Sequence, residues 1–320
     1  MRWVGIDEAG YGPNLGPLVM TAVVAEGTGE RPPQLWDELA PTVARAGGPS
    51  DRLWVDDSKA ILKGGKGREH LDATCLAAVE AAGAGFAGAS TLASLLQAIG
   101  AGSYDDVELS PWLEGVAAPA WPPTTSRRRL QQWPENPLHV GVPWRICAVK
   151  TVVMGPAQFN AALERLGSKA RVHFLAFGRL LQDLWTQAGD GTPTVVRSDK
   201  HGGRHFYLEP LQSLFEGLWI DRGPEGPALS RYTVRGDGRT LELSLLPRAD
   251  AEDGLVALAS IVSKAVRELW MDSFNAHWRI SFPDLRPTAG YPVDAKRFRQ
   301  VIEPECQARG LPLSLWWRAK

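Results

Sequence analysis

The sequence is poor in cysteine, with only Cys75, Cys147 and Cys306 in 320 residues. These three are far apart and form no Cys-X-X-Cys pair, which argues against a zinc knuckle and against a disulfide framework. There is no run of 18 or more apolar residues, so we expect no membrane span. The first residues show no signal-peptide pattern. Together these absences predict a reduced, cytoplasmic protein.

The sequence also has almost no net charge. Its 35 Lys and Arg residues nearly balance 36 Asp and Glu, which gives −1 at pH 7. A nucleic-acid partner must therefore be bound by local basic patches rather than by the overall field. No Ser-His-Asp arrangement, Walker loop or dinucleotide fingerprint is evident. The hydrophobic content of 44% is enough for a sizeable core. We expect a monomer.

Strand and helix patterns are intermixed along the chain, and the first two strands are closely linked. This predicts a mixed-sheet α/β domain rather than a regular βαβ array. Apolar runs rich in β-branched residues predict strands at 3–7, 18–24, 144–153 and 194–199. Helical spacing predicts helices at 34–46, 68–82, 159–184 with a break at Gly167, and 255–271.

Two further stretches have clear turn or loop signals. Asp237-Gly238 between strand-like runs predicts a hairpin. Residues 101–142 are rich in Pro, Trp and Ser, which predicts a long loop. Arg127-Arg128-Arg129 lies within this stretch, and such a run either contacts a nucleic-acid backbone or is simply solvated.

Acidic residues stand at the ends of apolar runs. Asp7 and Glu8 end the first predicted strand, Asp199 ends a later one, and Asp250 precedes the last long helix. Acids at such positions can converge above one edge of a sheet. Hard cations such as Mg²⁺ or Mn²⁺ prefer oxygen ligands and offset the repulsion between clustered carboxylates. Two such ions ~4 Å apart support phosphodiester hydrolysis.

Each of these acids also fits a simpler role. An Asp-Glu pair at a strand end is more often a solvated turn. Asp250 and Asp253 are both placed to cap the helix that follows. Asp199 also fits an ordinary loop residue beside Gly202 and Gly203. From composition and spacing alone, metal-dependent hydrolysis is therefore one hypothesis among several.

Four motifs, in order, resemble those of the type 2 ribonucleases H, the ribonucleases HII and HIII. Residues 5–13 read Gly-Ile-Asp-Glu-Ala-Gly-Tyr-Gly-Pro and resemble the opening motif of that family. Residues 57–59 read Asp-Ser-Lys. Ala249-Asp250 is followed nine residues later by Ala-Ser-Ile-Val-Ser-Lys, at 259–264. Gly290-Tyr291-Pro292 resembles the later Gly-Tyr motif.

The resemblance covers residues 1–60, 145–200 and 247–300. It fails across about 97–142 and 205–240, which we interpret as insertions. It implies a single domain over residues 1–320, with a helical carboxy-terminal extension at about 275–320. The implied architecture is α/β: a ribonuclease H-like fold with a mixed central sheet flanked by helices.

The resemblance also implies a chemistry. Four carboxylates would bind two Mg²⁺ or Mn²⁺ ions, one activating water and the other stabilising the departing 3′ oxygen. The implied activity is endonucleolytic cleavage of RNA in RNA/DNA hybrids, or at ribonucleotides in duplex DNA, leaving a 3′-OH and a 5′-phosphate. The residues that carry over as catalytic and metal-binding are Asp7, Glu8, Asp199 and Asp250.

A set of substrate-binding residues follows from the motifs and from the basic, glycine-rich segment beside Asp199. Gly-Tyr-Gly at 10–12 replaces the Gly-Arg-Gly that is usual in ribonucleases HII, so the chain resembles a divergent member. In the family this loop grips the strand near the ribose 2′-OH through its backbone. The expected substrate-binding residues are Gly10, Tyr11, Gly12, Ser58, Lys59, Lys200, Arg204, Lys264 and Tyr291.

Two alternative functions remain open at the level of sequence. The missing arginine and the two insertions are also compatible with a structure-specific DNA nuclease on the same fold. A non-catalytic nucleic-acid-binding protein is the other alternative. The four acids argue against it, because a phosphate binder gains nothing from clustered negative charge.

Overall fold

The protein is described here by a computed structural model that covers residues 1–83, 91–100, 112 and 120–319. The strands are β1 Arg2–Ala9, β2 Leu18–Gly27, β3 Val43–Ala44, β4 Leu53–Trp54, β5 Trp144–Met154, β6 Thr194–Asp199, β7 Trp219–Glu225, β8 Ser230–Gly236 and β9 Arg239–Leu246. The helices are α1 Leu35–Glu38, α2 Ser58–Leu62, α3 Gly67–Ala81, α4 Leu92–Ile99, α5 Thr124–Leu130, α6 Pro156–Leu166, α7 Lys169–Gln187, α8 Leu208–Leu214, α9 Ala249–Glu252, α10 Gly254–Ser281 and α11 Pro292–Ala308.

Seven of the described strands form one mixed sheet in the order β5-β2-β1-β6-β9-β8-β7. Strand β2 runs antiparallel to both β1 and β5, whereas β1, β6 and β9 run parallel to one another. The β8-β7 hairpin extends the sheet beyond β9. Helices pack on both faces, so the expected α/β architecture, a mixed central sheet flanked by helices, is confirmed.

The sheet separates two hydrophobic cores. Successive residues of a strand point to opposite faces, so Trp3 faces one core while Val4 and Ile6 face the other. Helices α3 and α10 cover the first face, and α7 covers the second. The site residues at the ends of β1 are therefore approached by helices from both sides.

Helix α10 begins in close contact with β1. A Cβ atom at Gly5 would lie 2.2 Å from the backbone of Leu255 and Val256, so only glycine allows this approach. Asp253 caps the helix by accepting hydrogen bonds from the N–H groups of Leu255 (2.9 Å) and Val256 (3.3 Å). Of the two acids that sequence placed as caps, Asp253 therefore caps α10, whereas Asp250 lies in the preceding short helix α9.

Two of the predicted elements differ in the structure. The helix predicted at 34–46 ends at Glu38, because Pro41 cannot continue it, and the chain then enters β3. The long loop predicted at 101–142 contains helix α5, which packs on α3. Arg129 of this helix pairs with Glu69 at 2.8 Å, so part of the arginine run serves packing. Residues 101–111 and 113–119 of that predicted loop lie outside the described residues.

Other local predictions are confirmed. Gly167 ends α6 in the left-handed conformation (φ 72°) and separates it from α7. Asp237 (φ 50°) and Gly238 (φ 72°) form the turn between β8 and β9. In the described part of the chain, none of the helices is long and apolar enough to cross a membrane. All three cysteines are free.

Candidate active site

Strand register brings Asp7 and Asp199 together. In the parallel pair of β1 and β6, Ile6 lies opposite Ser198. The next residue of β1 is Asp7 and the next residue of β6 is Asp199, so the two acids lie on neighbouring strands. Neighbouring strands are roughly 4.8 Å apart. Both acids belong to the sheet face on which α10 packs, which follows from the alternation along each strand.

Hydroxyl groups behind Asp7 hold it against α10. Ser263 Oγ lies 3.1 Å from the backbone oxygen of Asp7 and 2.8 Å from Thr21 Oγ1. The hydroxyl of Ser260 bonds the Asp7 carboxyl and lies 3.2 Å from Ser58 Oγ. Ser58, which sequence placed among the substrate-binding residues, is thus buried behind the carboxylates.

Burial dominates the electrostatics of Asp7. Loss of water around this carboxyl, together with the neighbouring charges of Glu8 and Asp250, raises the pKa of Asp7 well above its ordinary value. The ionised form is therefore costly unless a positive charge lies nearby. An acid in such a state at the end of a central strand is poised to take up a cation.

Glu8 points to the opposite face of the sheet, where His173 meets it. His173 Nε2 of α7 lies 3.4 Å from Glu8 Oε2. Burial alone would raise the pKa of Glu8, but His173 and the ammonium of Lys59 outweigh it and lower that pKa. Sequence analysis missed His173, because it sits on the apolar face of α7 beside Phe174 and has the pattern of a core residue.

The other two acids are Asp199, the last residue of β6, and Asp250, in the short helix α9 that follows β9. Asp199 Oδ1 accepts hydrogen bonds from the backbone N–H groups of Lys200 (2.9 Å) and Arg248 (2.8 Å). Burial, the first cause, and Glu8 raise the pKa of Asp199 despite these bonds. Burial and then the charges of Asp57 and Asp199 raise the pKa of Asp250. The four acids that sequence selected therefore affect one another's ionisation.

The four carboxylates adjoin one another without forming a closed ligand cage. Among residues 1–83, 91–100, 112 and 120–319, no group of three or more His, Cys, Asp or Glu side chains is arranged to hold a metal ion. The chemistry of the donor set, four acids with oxygen ligands only, fits a hard divalent cation.

The Gly10-Tyr11-Gly12 segment leads away from these acids. Gly10 has φ 91°, and a Cβ there would lie 2.4 Å from the backbone oxygen of Pro17. The ring of Tyr11 meets His173 edge-on at 5.1 Å between centroids. Tyr11 also approaches Gly202, whose Cβ position is 3.5 Å from the Tyr11 ring. Tyr11 thus links the segment that follows Asp7 and Glu8 to the loop that follows Asp199.

The basic residues expected to bind substrate differ in their placement. Lys59 acts on the ionisation of both Glu8 and Asp250, so its ammonium lies at the site. Lys264 pairs with Glu268 at 2.6 Å, as its helical spacing predicts. The Lys200 ammonium donates to Gly226 O and Ser230 Oγ, both at 2.8 Å, in the β7-β8 hairpin.

The last two expected contacts are on loops. The Arg204 guanidinium lies over the rings of Phe174 and Tyr207, each 5.8 Å from the ring centroid. Tyr291 is 49% exposed, so its ring is accessible from solvent. His201 and His205 lie in a loop rather than on a helix, and His201 is buried among aromatic rings.

Fold and site together define a class: an α/β protein with a mixed central sheet and an acidic centre at the carboxyl end of its inner parallel strands. No family model and no curated protein matches the sequence. The neighbours among solved structures described below are all type 2 ribonucleases H, the family that the sequence motifs resemble.

Three of these neighbours illustrate the likeness. A ribonuclease HII solved as a complex with PCNA, from Archaeoglobus fulgidus, is 19% identical, with 100% of this chain and 95% of that chain covered and a TM-score of 0.47. Ribonuclease H2 from Pyrococcus horikoshii OT3 is 15% identical, with coverage of 99% and 92% and a TM-score of 0.44. Bst-RNase HIII in complex with Mn²⁺ is 15% identical, with coverage of 99% and 66% and a TM-score of 0.46.

Proposed function

We propose that this protein is a metal-dependent endonuclease of the ribonuclease H type, which hydrolyses RNA in RNA/DNA hybrids or at ribonucleotides in duplex DNA. The observation that carries the proposal is the grouping of Asp7, Glu8, Asp199 and Asp250 at one edge of the sheet. Three of these four have a raised pKa, chiefly through burial. Such a cost is relieved when a cation binds.

The metal we propose is Mg²⁺ or Mn²⁺, with two ions held by these four acids. The oxygen-only donor set favours hard cations, and a solved neighbour, Bst-RNase HIII, is described in complex with Mn²⁺. These four acids would hold the ions, whose chemistry would be activation of a water and stabilisation of the leaving 3′ oxygen, so that the products would carry a 3′-OH and a 5′-phosphate.

Residues of this chain supply the remaining functions. His173 holds the Glu8 carboxylate from the opposite face of the sheet. Lys59 brings a positive charge to the same acids. In this proposal its ammonium would contact the phosphate next to the scissile bond. The exposed ring of Tyr291 offers a surface for stacking on a nucleotide. The 10–12 loop would contact the strand through its backbone.

The test is a cleavage assay with a defined panel of substrates. The purified protein is incubated with Mg²⁺ or Mn²⁺ and an RNA/DNA hybrid, a duplex with one embedded ribonucleotide, an all-DNA duplex and all-DNA junctions. We expect cleavage of the first or second substrate, with 3′-OH and 5′-phosphate ends. Asp7→Asn should reduce the rate by at least about 10³-fold.

The matched control is Asp237→Asn, which removes the same charge in a hairpin turn outside the site. Asn adopts the left-handed conformation of Asp237 readily, so this variant should keep full activity. Cleavage of DNA junctions alone would show a structure-specific DNA nuclease instead. Binding of the panel without any cleavage would show the non-catalytic alternative.

A further inference from the structure

The loop of residues 10–16, which follows the two acids of β1, contains no arginine of its own. Two buried guanidinium groups nevertheless bind its backbone from outside. Arg318 Nε donates to Pro13 O at 3.0 Å, and its Nη2 donates to Gly10 O at 2.5 Å and also to Pro13 O. Arg267 Nη2 of α10 donates to Leu15 O at 3.1 Å.

The segment around Arg318 is itself attached to the loop. Trp317 forms an isolated antiparallel bridge with Leu15. The Arg318 N–H donates to Asn14 O at 2.8 Å, and the Asn14 side chain donates back to Arg318 O at 3.3 Å. This pairing joins residues about 300 positions apart in sequence, so the chain's last described segment completes the loop beside the acids.

A third contact fixes the segment from the outside. The Asn160 amide of α6 donates to Trp317 O at 2.9 Å, and Asn160 Oδ1 accepts from the Ala319 N–H at 2.8 Å. The Arg318 guanidinium lies over the Phe159 ring of the same helix, 4.7 Å from its centroid. Helix α6, the 313–319 segment and the 10–16 loop thus form one connected layer.

Burying the charged guanidinium of Arg318 costs free energy, so we expect its contacts with the loop to have a specific role. Its side chain is fully buried, and within the described residues it forms no ion pair with an acid. Burial, and then the charge of Arg267, lower the pKa of Arg318 to about 9. The group remains protonated at neutral pH, and backbone carbonyls are the partners that offset its desolvation.

We propose that Arg318 is a positioning residue for substrate binding: it holds the Gly10 and Pro13 carbonyls, and thereby fixes the 10–16 loop in the shape that contacts the bound nucleic-acid strand. This inference rests on the proposed function. A loop that binds through its backbone depends on its shape, because backbone groups cannot adapt by changing rotamer. Arg318 acts on the substrate only through this loop.

The test compares Arg318→Met with Arg318→Lys. Methionine fills much of the same volume but donates no hydrogen bond, whereas lysine retains a donor and the charge. Arg318→Met removes three charged hydrogen bonds to the loop carbonyls. We expect it to raise KM for the cleaved substrate about 10-fold and to change kcat less than about 3-fold, because the loop loses its shape while the acids stay in place. Arg318→Lys should recover part of the KM.

Two measurements separate positioning from general destabilisation. Phe215→Leu, a core change beside Trp185 on the far part of the sheet, provides a variant with lowered stability and an intact loop. Affinity for an RNA/DNA hybrid is measured by fluorescence anisotropy in the inactive Asp7→Asn background. Hydrogen exchange is followed in peptides that cover residues 9–17. Arg318→Met should accelerate exchange there and weaken binding about 10-fold, and Phe215→Leu should do neither.

Three outcomes overturn the positioning role. They are an unchanged KM and affinity in Arg318→Met, losses equal to those in Phe215→Leu, or slow exchange in peptides 9–17 despite the substitution. If the parent protein binds the hybrid and does not cleave it, the nuclease proposal fails, while the affinity measurement still decides the role of Arg318. If the parent cleaves and Arg318→Met matches it, the nuclease proposal stands and the positioning role falls.

Discussion

Asp7 is the residue in which fold stability and function oppose each other most directly. It is 8% exposed, and its carboxyl adjoins Glu8 and Asp250. An acid whose pKa is raised in the folded state binds protons more tightly there than in the unfolded chain. Its ionisation therefore lowers stability as the pH rises from its ordinary pKa of 3.8 through the raised folded value.

The first prediction concerns this cost. In metal-free buffer at pH 7, Asp7→Asn should raise Tm by about 2 °C or more, because it removes a carboxyl whose ionisation the folded state disfavours and the unfolded chain does not. The gain should shrink as the pH falls toward and below 3.8, because Asp7 then becomes protonated in the unfolded chain as well as in the folded protein. Asp237→Asn should leave Tm unchanged at every pH. Thermal melts across this pH range measure these Tm shifts. A Tm for Asp7→Asn below that of the parent protein at pH 7 would contradict the raised pKa of Asp7.

The second prediction concerns His173, which contacts a proposed metal ligand from behind. Residues that orient ligands typically contribute 10–100-fold to metal affinity. We expect His173→Leu to weaken Mn²⁺ binding about 10-fold, and His173→Gln to retain most of it, because its amide can still donate to Glu8. His205→Leu, in the nearby loop, is the control. Calorimetric titration with Mn²⁺ measures the affinities, and equal binding by the Leu and Gln variants would remove His173 from the site.

At the scale of elements, the contact between α10 and β1 decides where Asp7 sits. The third prediction is that Gly5→Ala destabilises the protein by about 3 kcal/mol, the upper part of the range for overpacking, because a Cβ would meet Leu255 at 2.2 Å. Gly12→Ala is the matched control. Its Cβ would meet nothing within 4 Å, so a change below about 0.5 kcal/mol is expected. Urea denaturation measures both, and similar values for the two variants would contradict the close packing.

The strand ends and the short helix α9 show how elements build the acidic centre. Asp250 lies in α9, one turn long, between β9 and α10, and Asp253 performs the capping. Because Asp253 caps α10, Asp250 has no capping role at that helix. This difference in position explains why Asp250 and Asp253, three residues apart, have different surroundings.

At the scale of the whole molecule, the candidate centre joins both faces of the sheet, with α10 behind Asp7 and α7 behind Glu8. A ligand that binds only the folded protein stabilises it by mass action. The fourth prediction is that Mg²⁺ or Mn²⁺ at ten to a hundred times its dissociation constant stabilises the protein by about 1.4–2.7 kcal/mol. EDTA should reverse the shift without unfolding the chain.

The control for that measurement is again Asp7→Asn, which should show a much smaller metal-dependent rise in Tm than the parent. Equal shifts in the two proteins would place metal binding elsewhere. Calcium serves as a comparison ion, because it shares the oxygen preference at longer distances.

The sequence by itself determined the local features whose causes are local. Apolar runs predicted β1, β2, β5 and β6 of the central sheet, and glycine conformation and hairpin chemistry predicted the break at Gly167 and the turn at Asp237-Gly238. All of these are present in the structure, whereas β7 was not predicted. The helix predicted at 34–46 failed where Pro41 outweighed the apolar spacing. The four acids were also selected from motif order, and their roles stay a prediction.

Only the tertiary structure decided which distant residues meet. His173 has the pattern of a core residue until α7 packs beneath the end of β1 and places it 3.4 Å from Glu8. Arg318 has no motif at all, and its contact with Gly10 depends on chain segments about 300 residues apart. The physical reason is that periodicity encodes burial and local conformation, whereas long-range contacts depend on how all the elements pack together. The acids were visible in the sequence, but the residues that hold them and their loop in place were not.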